Sequence, residues 1–223
     1  MLIRITILSL IACLPPFVLA GEPEVPLKIE VPEEVLAGTP PDVLALLYPD
    51  LEMPKPDELA KVMVPQGTVN LALNKPVSAS DDKPILGELK FVTDGEKEGS
   101  ESTFVELFPG AQWIQIDLQQ SCRIYAICLW HFFREARSYN DVVVQVAEDP
   151  DFKRDVQTVY NNDQDNSLSL GIGKQRPYIE TNLGKTIDAK GVKGRYVRIY
   201  SQGNTANQLN HYVEVEVFGK PAS

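Results

Sequence analysis

Glu214 and Glu216 alternate in the run VEVEV at 213–217, so on a β-strand their carboxylates share a face, with Cα atoms about 7 Å apart. A glycosidase pair needs roughly 5–9 Å. The same alternation equally describes a strand whose polar face meets solvent. The chain has only two histidines, His131 and His211. It contains no His-Glu-x-x-His, no Gly-x-Ser-x-Gly and no phosphate-binding glycine loop. These absences argue against an enzyme. A different chemistry is concentrated in HFFREARSYN at 131–140. Aromatic faces such as Phe132 and Phe133 stack on the C–H surfaces of sugars, and the forks of Arg134 and Arg137 donate to adjacent hydroxyls or carboxylates. Asn204, Asn207, Asn210 and His211 are candidates for the same rim. The competing reading is that Phe132, Phe133 and Tyr139 cap the core, that the arginines pair with Glu135 and Asp141, and that the asparagines satisfy turns.

These residues must be held by strands. In GRYVRIYS at 194–201, Val197, Ile199 and Ser201 share one face and Tyr196, Arg198 and Tyr200 the other. In VEVEV the valines point one way and the glutamates the other. Such alternation predicts strands buried on one face only. The polar loop between them, 202–210, has almost nothing to bury and belongs at a rim. WIQIDL at 113–118, SCRIYAICLW at 121–130, DVVVQVA at 141–147, Gln157–Tyr160 and Arg176–Thr181 read as further strands. Asp94-Gly95 marks a turn after Leu89–Val92. Eight or nine strands without a long amphipathic helix predict an all-β fold, an antiparallel β-sandwich.

The flanking region differs. Residues 21–67 hold nine of the 17 prolines and a charge of −7, from ten acidic and three basic side chains. They read as a stiff, extended, acidic linker. Within it, Asp42–Tyr48 and Asp57–Met63 are expected as short helices capped by Asp42 and Asp57. Their apolar side chains suggest that the linker wraps back and docks partly on the domain, although a free tether has the same composition. Residues 68–223 are nearly balanced, with 21 acidic and 17 basic side chains, and no basic stripe suited to nucleic acid appears.

Residues 1–20 read as a signal peptide: Arg4, the apolar run Ile5–Leu14, and Val18-Leu19-Ala20 before Gly21. The run is too short to span a bilayer, which needs about 20 apolar residues. LIAC at 10–13 offers an alternative, a lipobox with lipidation at Cys13, which would be the one route to a membrane. The expected location is secreted or periplasmic, or lipid-anchored on the envelope. Cys122 and Cys128 lie on one expected strand, about 20 Å apart, and cannot bridge a gap of about 5.5 Å. Cys128 shares parity with Ile124, Ala126 and Trp130 and reads as core.

Taken in order, NLALNKPVSAS at 70–80, VTDG at 92–95, WIQIDL, VVVQVAED at 142–149, GRYVRI at 194–199 and EVEVFG at 214–219 resemble the discoidin, or coagulation factor 5/8 type C, family with its galactose-binding-like jelly roll. The resemblance covers about residues 68–220. It implies a non-catalytic module that recognises carbohydrate through loops at one end. Fucose-binding relatives use a histidine and two arginines, and His131, Arg134 and Arg137 fall in the comparable loop. It also implies a structural calcium. The matching positions are Asp94, Glu214, the carbonyls of Phe91, Glu96 and Val213, and a hydroxyl at Ser102 or Thr103. Hard oxygen ligands, six to eight of them, suit that ion. A structural or protein-interaction module, and a phospholipid-binding mode using Phe132-Phe133 beside Arg134, are the alternatives.

Overall fold

The structure is a computed structural model that describes residues 22–34, 39–53, 55, 62–100 and 103–222. The expected signal peptide with Cys13, the candidate ligand Ser102, and most of the helix expected over Asp57–Met63 lie outside these residues.

Two long strands organise the domain: β6 (Gln112–Trp130) and β9 (Lys185–Ser201). They pair antiparallel along almost their whole length. Around them one sheet runs in the order β3-β11-β6-β9-β7-β8, with β4 also on β6. The partners are β3 (Val69–Asn70), β4 (Val77–Ala79), β7 (Val143–Ala147), β8 (Gln157–Asn161) and β11 (Glu214–Pro221). β5 (Val105–Leu107) and β10 (Asn210–Tyr212) form a separate antiparallel pair. The all-β sandwich is therefore confirmed. The runs 113–118 and 121–130, expected as two strands, are one strand, kinked where Gln119 takes φ 66° and the pairing slips between Asp117 and Cys122. Both halves feed one core: Ile114, Ile116 and Leu118 from the first, Ile124, Ile127 and Leu129 from the second. Burial of such side chains stabilises by about 1.5–3 kcal/mol each.

A second slip, between Ile124 and Ala126, reverses which parity faces that core. Cys122 therefore belongs to it, whereas Ala126, Cys128 and Trp130 point to the opposite face. Both cysteines are free and buried. The opposite face is also apolar, with Val213 and Phe218 beside those three, and it is covered by the proline-rich segment. Here β1 (Glu24–Pro26) pairs with β2 (Met63–Pro65), and Leu27 and Val64 are buried against the sheet. Farther on, Lys97 Nζ donates to Glu30 O at 3.0 Å, and Asn182 Nδ2 to Pro32 O at 2.9 Å. A helix, α1 (Pro41–Leu47), buries Leu44 against Ala136 and Ile179. Asp42 is not its cap: Pro40 takes that position, and Asp42 lies in the first turn. The Arg176–Thr181 stretch is not a strand; Tyr178 makes a single parallel bridge to Glu52. The described part of 21–67 is thus a wrap on the domain, not a free tether.

Gly219 shows how closely β11 and β6 approach. A Cβ there would lie 2.4 Å from Arg123 O and 2.8 Å from Leu71 Cδ1. Gly219→Ala is expected to cost about 3 kcal/mol through overpacking, and an urea melt should show the midpoint falling with an unchanged slope.

Candidate functional site

The loop after β6 is knitted into the domain. His131 is fully buried, its Nδ1 2.6 Å from Glu180 Oε1, also fully buried. Its ring stacks on Tyr139 at 4.2 Å. Tyr139 OH lies 2.8 Å from His211 Nδ1, and His211 Nε2 lies 3.0 Å from Glu106 Oε2. Burial pushes His211 down to about 3, with the Arg137 and His131 charges adding to it. Burial holds Tyr139 well above the usual phenol range. Tyr139 therefore donates to a neutral His211, which in turn donates to Glu106; this fixes the tautomer. Phe133 is buried. Arg137 is buried too, pairing with Glu135 at 2.6 Å and lying over Phe132 at 4.6 Å. Phe132 is half-buried against Phe104.

The rim asparagines also serve the loops. Asn204 Nδ2 donates to Asn207 Oδ1 and Leu209 O, both at 2.9 Å, and Asn210 holds Ser201, Gly203, Phe108 and Gly110. Asn207 is exposed and Asn204 buried. The structure thus brings His131, Phe132, Phe133 and Arg137 together with His211 as a buried network, while Arg134 and Asn207 remain accessible. One half of the arginine pairing expected from sequence is present, Arg137 with Glu135. Asp141 instead accepts from Ser167 Oγ at 3.0 Å. Phe133 is sealed and Phe132 half-buried against Phe104, so the pair does not project as a fully exposed spike. Glu180 and Tyr178 were not foreseen. Among the described residues, Glu180 Oε2, Tyr178 OH, His131 Nε2 and Arg137 Nε are buried without a hydrogen-bond partner. Nothing in the local pattern RPYIET announces this, because their burial comes from the wrap and a loop that are distant in sequence.

Of the expected cation positions, the Asp94 turn and Glu214 adjoin. Asp94 ends the 3-10 turn Leu89–Thr93. Its Oδ1 accepts from Glu96 N at 2.9 Å, and Glu214 Oε2 accepts from Gly95 N at 3.1 Å. Glu214 is fully buried and its Oε1 has no partner. Burial pushes its carboxyl up to about 9; the Gly95 N–H opposes this, and the Glu216 and Asp94 charges add to it. A buried orphan oxygen beside a second carboxylate fits a hard cation. Thr103, the alternative hydroxyl, is occupied in a turn with Ser100. Val213, one of the expected carbonyl ligands, directs its N–H to Trp130 O at 2.8 Å, and Phe91 directs its own to Glu88 O at 2.9 Å.

The glutamate face of β11, expected to be shared between a cation site and solvent, is sealed from solvent. Glu216 is buried and pairs at 2.7 Å with Lys97, whose ammonium lies 4.8 Å from the centre of the Trp130 ring. The two carboxylates are therefore closed off from any substrate, and they do not form an acid–base pair.

No family model matches the chain, and no characterised protein matches it by sequence. Solved structures do. The chitosan-binding module 1 derived from the chitosanase/glucanase of Paenibacillus sp. IK-5 aligns at 22% identity, over 68% of this chain and 99% of that one, with a TM-score of 0.50. A family 89 glycoside hydrolase from Clostridium perfringens aligns at 17% identity and a TM-score of 0.52, over 69% of this chain but 15% of the enzyme. The module CBM32 of AlyQ, in complex with 4,5-unsaturated mannuronic acid, aligns at 19% identity over 64% of this chain and 93% of that one, at a TM-score of 0.47. At such identities the likeness is one of fold alone, a β-sandwich shared with neighbours that are galactose-binding-like, or discoidin-like, modules.

Proposed function

We propose that this chain is a non-catalytic module that binds carbohydrate outside the cell. Its binding surface is the loop end after Trp130, and a calcium ion at Asp94 and Glu214 stiffens the neighbouring turn. The observation that carries the reading is the alignment over 99% of the length of a chitosan-binding module. A sandwich of this kind brings loops together over a rigid sheet and needs no catalytic group. The residues agree with a binder: both histidines are buried in side-chain pairs, and both β11 glutamates are sealed. A calcium bound there would be held by the carboxylates of Asp94 and Glu214, and it would neutralise the orphaned Glu214 oxygen.

A glycan array run in calcium and again in chelator tests this. Binding to a defined set of sugars, weakened by chelator, is expected. No binding in either condition removes the reading. A second reading, a protein-interaction module, draws on α1, where Leu46 and Leu47 are 82% and 67% exposed. Its mark would be pull-down of an envelope protein by the unchanged protein but not by Leu46→Ser/Leu47→Ser.

A further inference from the structure

Beside the loop end lies a recess of about 230 Å³ that the domain does not make alone. Two of its walls, Arg134 and Glu98, come from the domain; the other two, Pro32 and Glu33, come from the wrap. The wrap is pinned at this point and just before it. Glu30 O accepts from Lys97, and Pro32 O from Asn182. Arg134, Glu33 and Glu98 make no hydrogen bond or ion pair with one another or with any other described residue. These three charges face one concavity without neutralising one another. Lys97, Arg137, Lys185 and Arg195 all have carboxylate partners.

We infer that this recess, half of it built by the proline-rich wrap, receives one sugar ring bearing a free amino group; the inference rests on the carbohydrate-binding reading above. The volume is below the roughly 300–1,000 Å³ typical of drug-sized ligand pockets, so it takes one ring of a chain, not several. A guanidinium fork donates to two neighbouring hydroxyl oxygens. Two carboxylates accept from hydroxyls and, more strongly, from an ammonium. Pro32 offers an apolar surface to the ring's C–H face. Two negative charges against one positive repel uronates and sulfated sugars, since like charges placed together carry the specificity against wrong ligands. Glu33 is then a specificity residue that lies outside the sandwich in sequence.

Titration calorimetry of the mature chain with a glucosamine trimer, its N-acetylated counterpart and an oligouronate reads this directly. The glucosamine trimer is expected to bind at least tenfold more tightly than the N-acetylated trimer, and the oligouronate not at all. Arg134→Ala should weaken binding about tenfold or more, and Glu33→Gln and Glu98→Gln about fivefold each. Melting temperatures should be unchanged, because these side chains have no partners to lose. If the array finds ligands but the three variants bind them as the unchanged protein does, or if the oligouronate binds best, the recess is not the site and the carbohydrate reading stands. If the unchanged protein binds no glycan, both fall.

Discussion

A chain starting at Thr68 is expected to lose most of its stability and to expose the thiol of Cys128. The outer face of the sheet carries Ala126, Cys128, Trp130, Val213 and Phe218, all buried, and Leu27 and Val64 of the wrap close it. Leu44 adds a third anchor on Ala136 and Ile179. At about 1.5–3 kcal/mol for each side chain, the three anchors contribute roughly 5–9 kcal/mol. Whole domains are stable by only about 5–15 kcal/mol. Losing the wrap therefore removes a large fraction of the total and leaves an apolar patch prone to association. In the complete chain burial pushes the Cys128 thiol up to about 12, and it should be inert to a thiol reagent at pH 8. In the shortened chain it should react within minutes. Cys122 provides the internal control: it faces the inner core and stays protected as long as any sandwich remains. Leu27→Ala tests the same point gently, at a cost of about 2 kcal/mol or more. A shortened chain with the same urea midpoint and a closed Cys128 would show that the wrap is only a passenger.

The second large effect is expected at Glu214 and depends on pH. The folded, calcium-free protein holds the Glu214 carboxyl at about 9, against an ordinary value of 4.5. Between those values the folded state keeps a proton that the unfolded chain has released. The stabilisation is complete below the unfolded value and drains away as pH rises through the folded one. At about 1.4 kcal/mol per pH unit, the calcium-free protein should lose on the order of 3 kcal/mol between pH 5 and pH 7.5. If the proposed calcium binds there it replaces the proton, and binding near pH 7 should then release close to one proton. At a hundredfold excess over the dissociation constant it should restore about 3 kcal/mol. For a chain of this size that corresponds to about 6–12 °C in melting temperature. Glu214→Gln keeps the shape without the charge. It should flatten the pH dependence, abolish the calcium response and be more stable than the calcium-free parent at pH 7.5. Melts of the parent that are identical in calcium and in chelator, with a pH dependence that Glu214→Gln leaves intact, would remove both the cation and the argument from burial.

The strand alternation did carry the fold. Val197, Ile199 and Ser201 are buried, and Tyr196, Arg198 and Tyr200 are half-exposed, as the period of two requires. The Asp94 turn and Glu214 meet as the order of motifs implied. A period of two says which residues share a face, however, and not what lies over it. The glutamate face reads as shared between solvent and a cation at Glu214, because its only local company is valine. Glu214 and Glu216 are buried because Lys97 and the Asp94 turn come to lie across them.

Alternation also fails at a slipped register, because one extra residue moves every later side chain to the other face. That is why Cys128 and Trp130 leave the core that Ile124 joins. Composition alone marked residues 21–67 as proline-rich and acidic, and so unable to form a long element. Whether such a stretch stays free depends on finding an apolar surface of matching shape, and that surface exists only once β6 and β11 are paired. Local sequence therefore determined the strands, the turn and the types of residue at the rim. Long-range packing decided which of those residues are sealed and which, like Arg134, are left with an unpaired charge, because burial is a property of what the rest of the chain brings alongside.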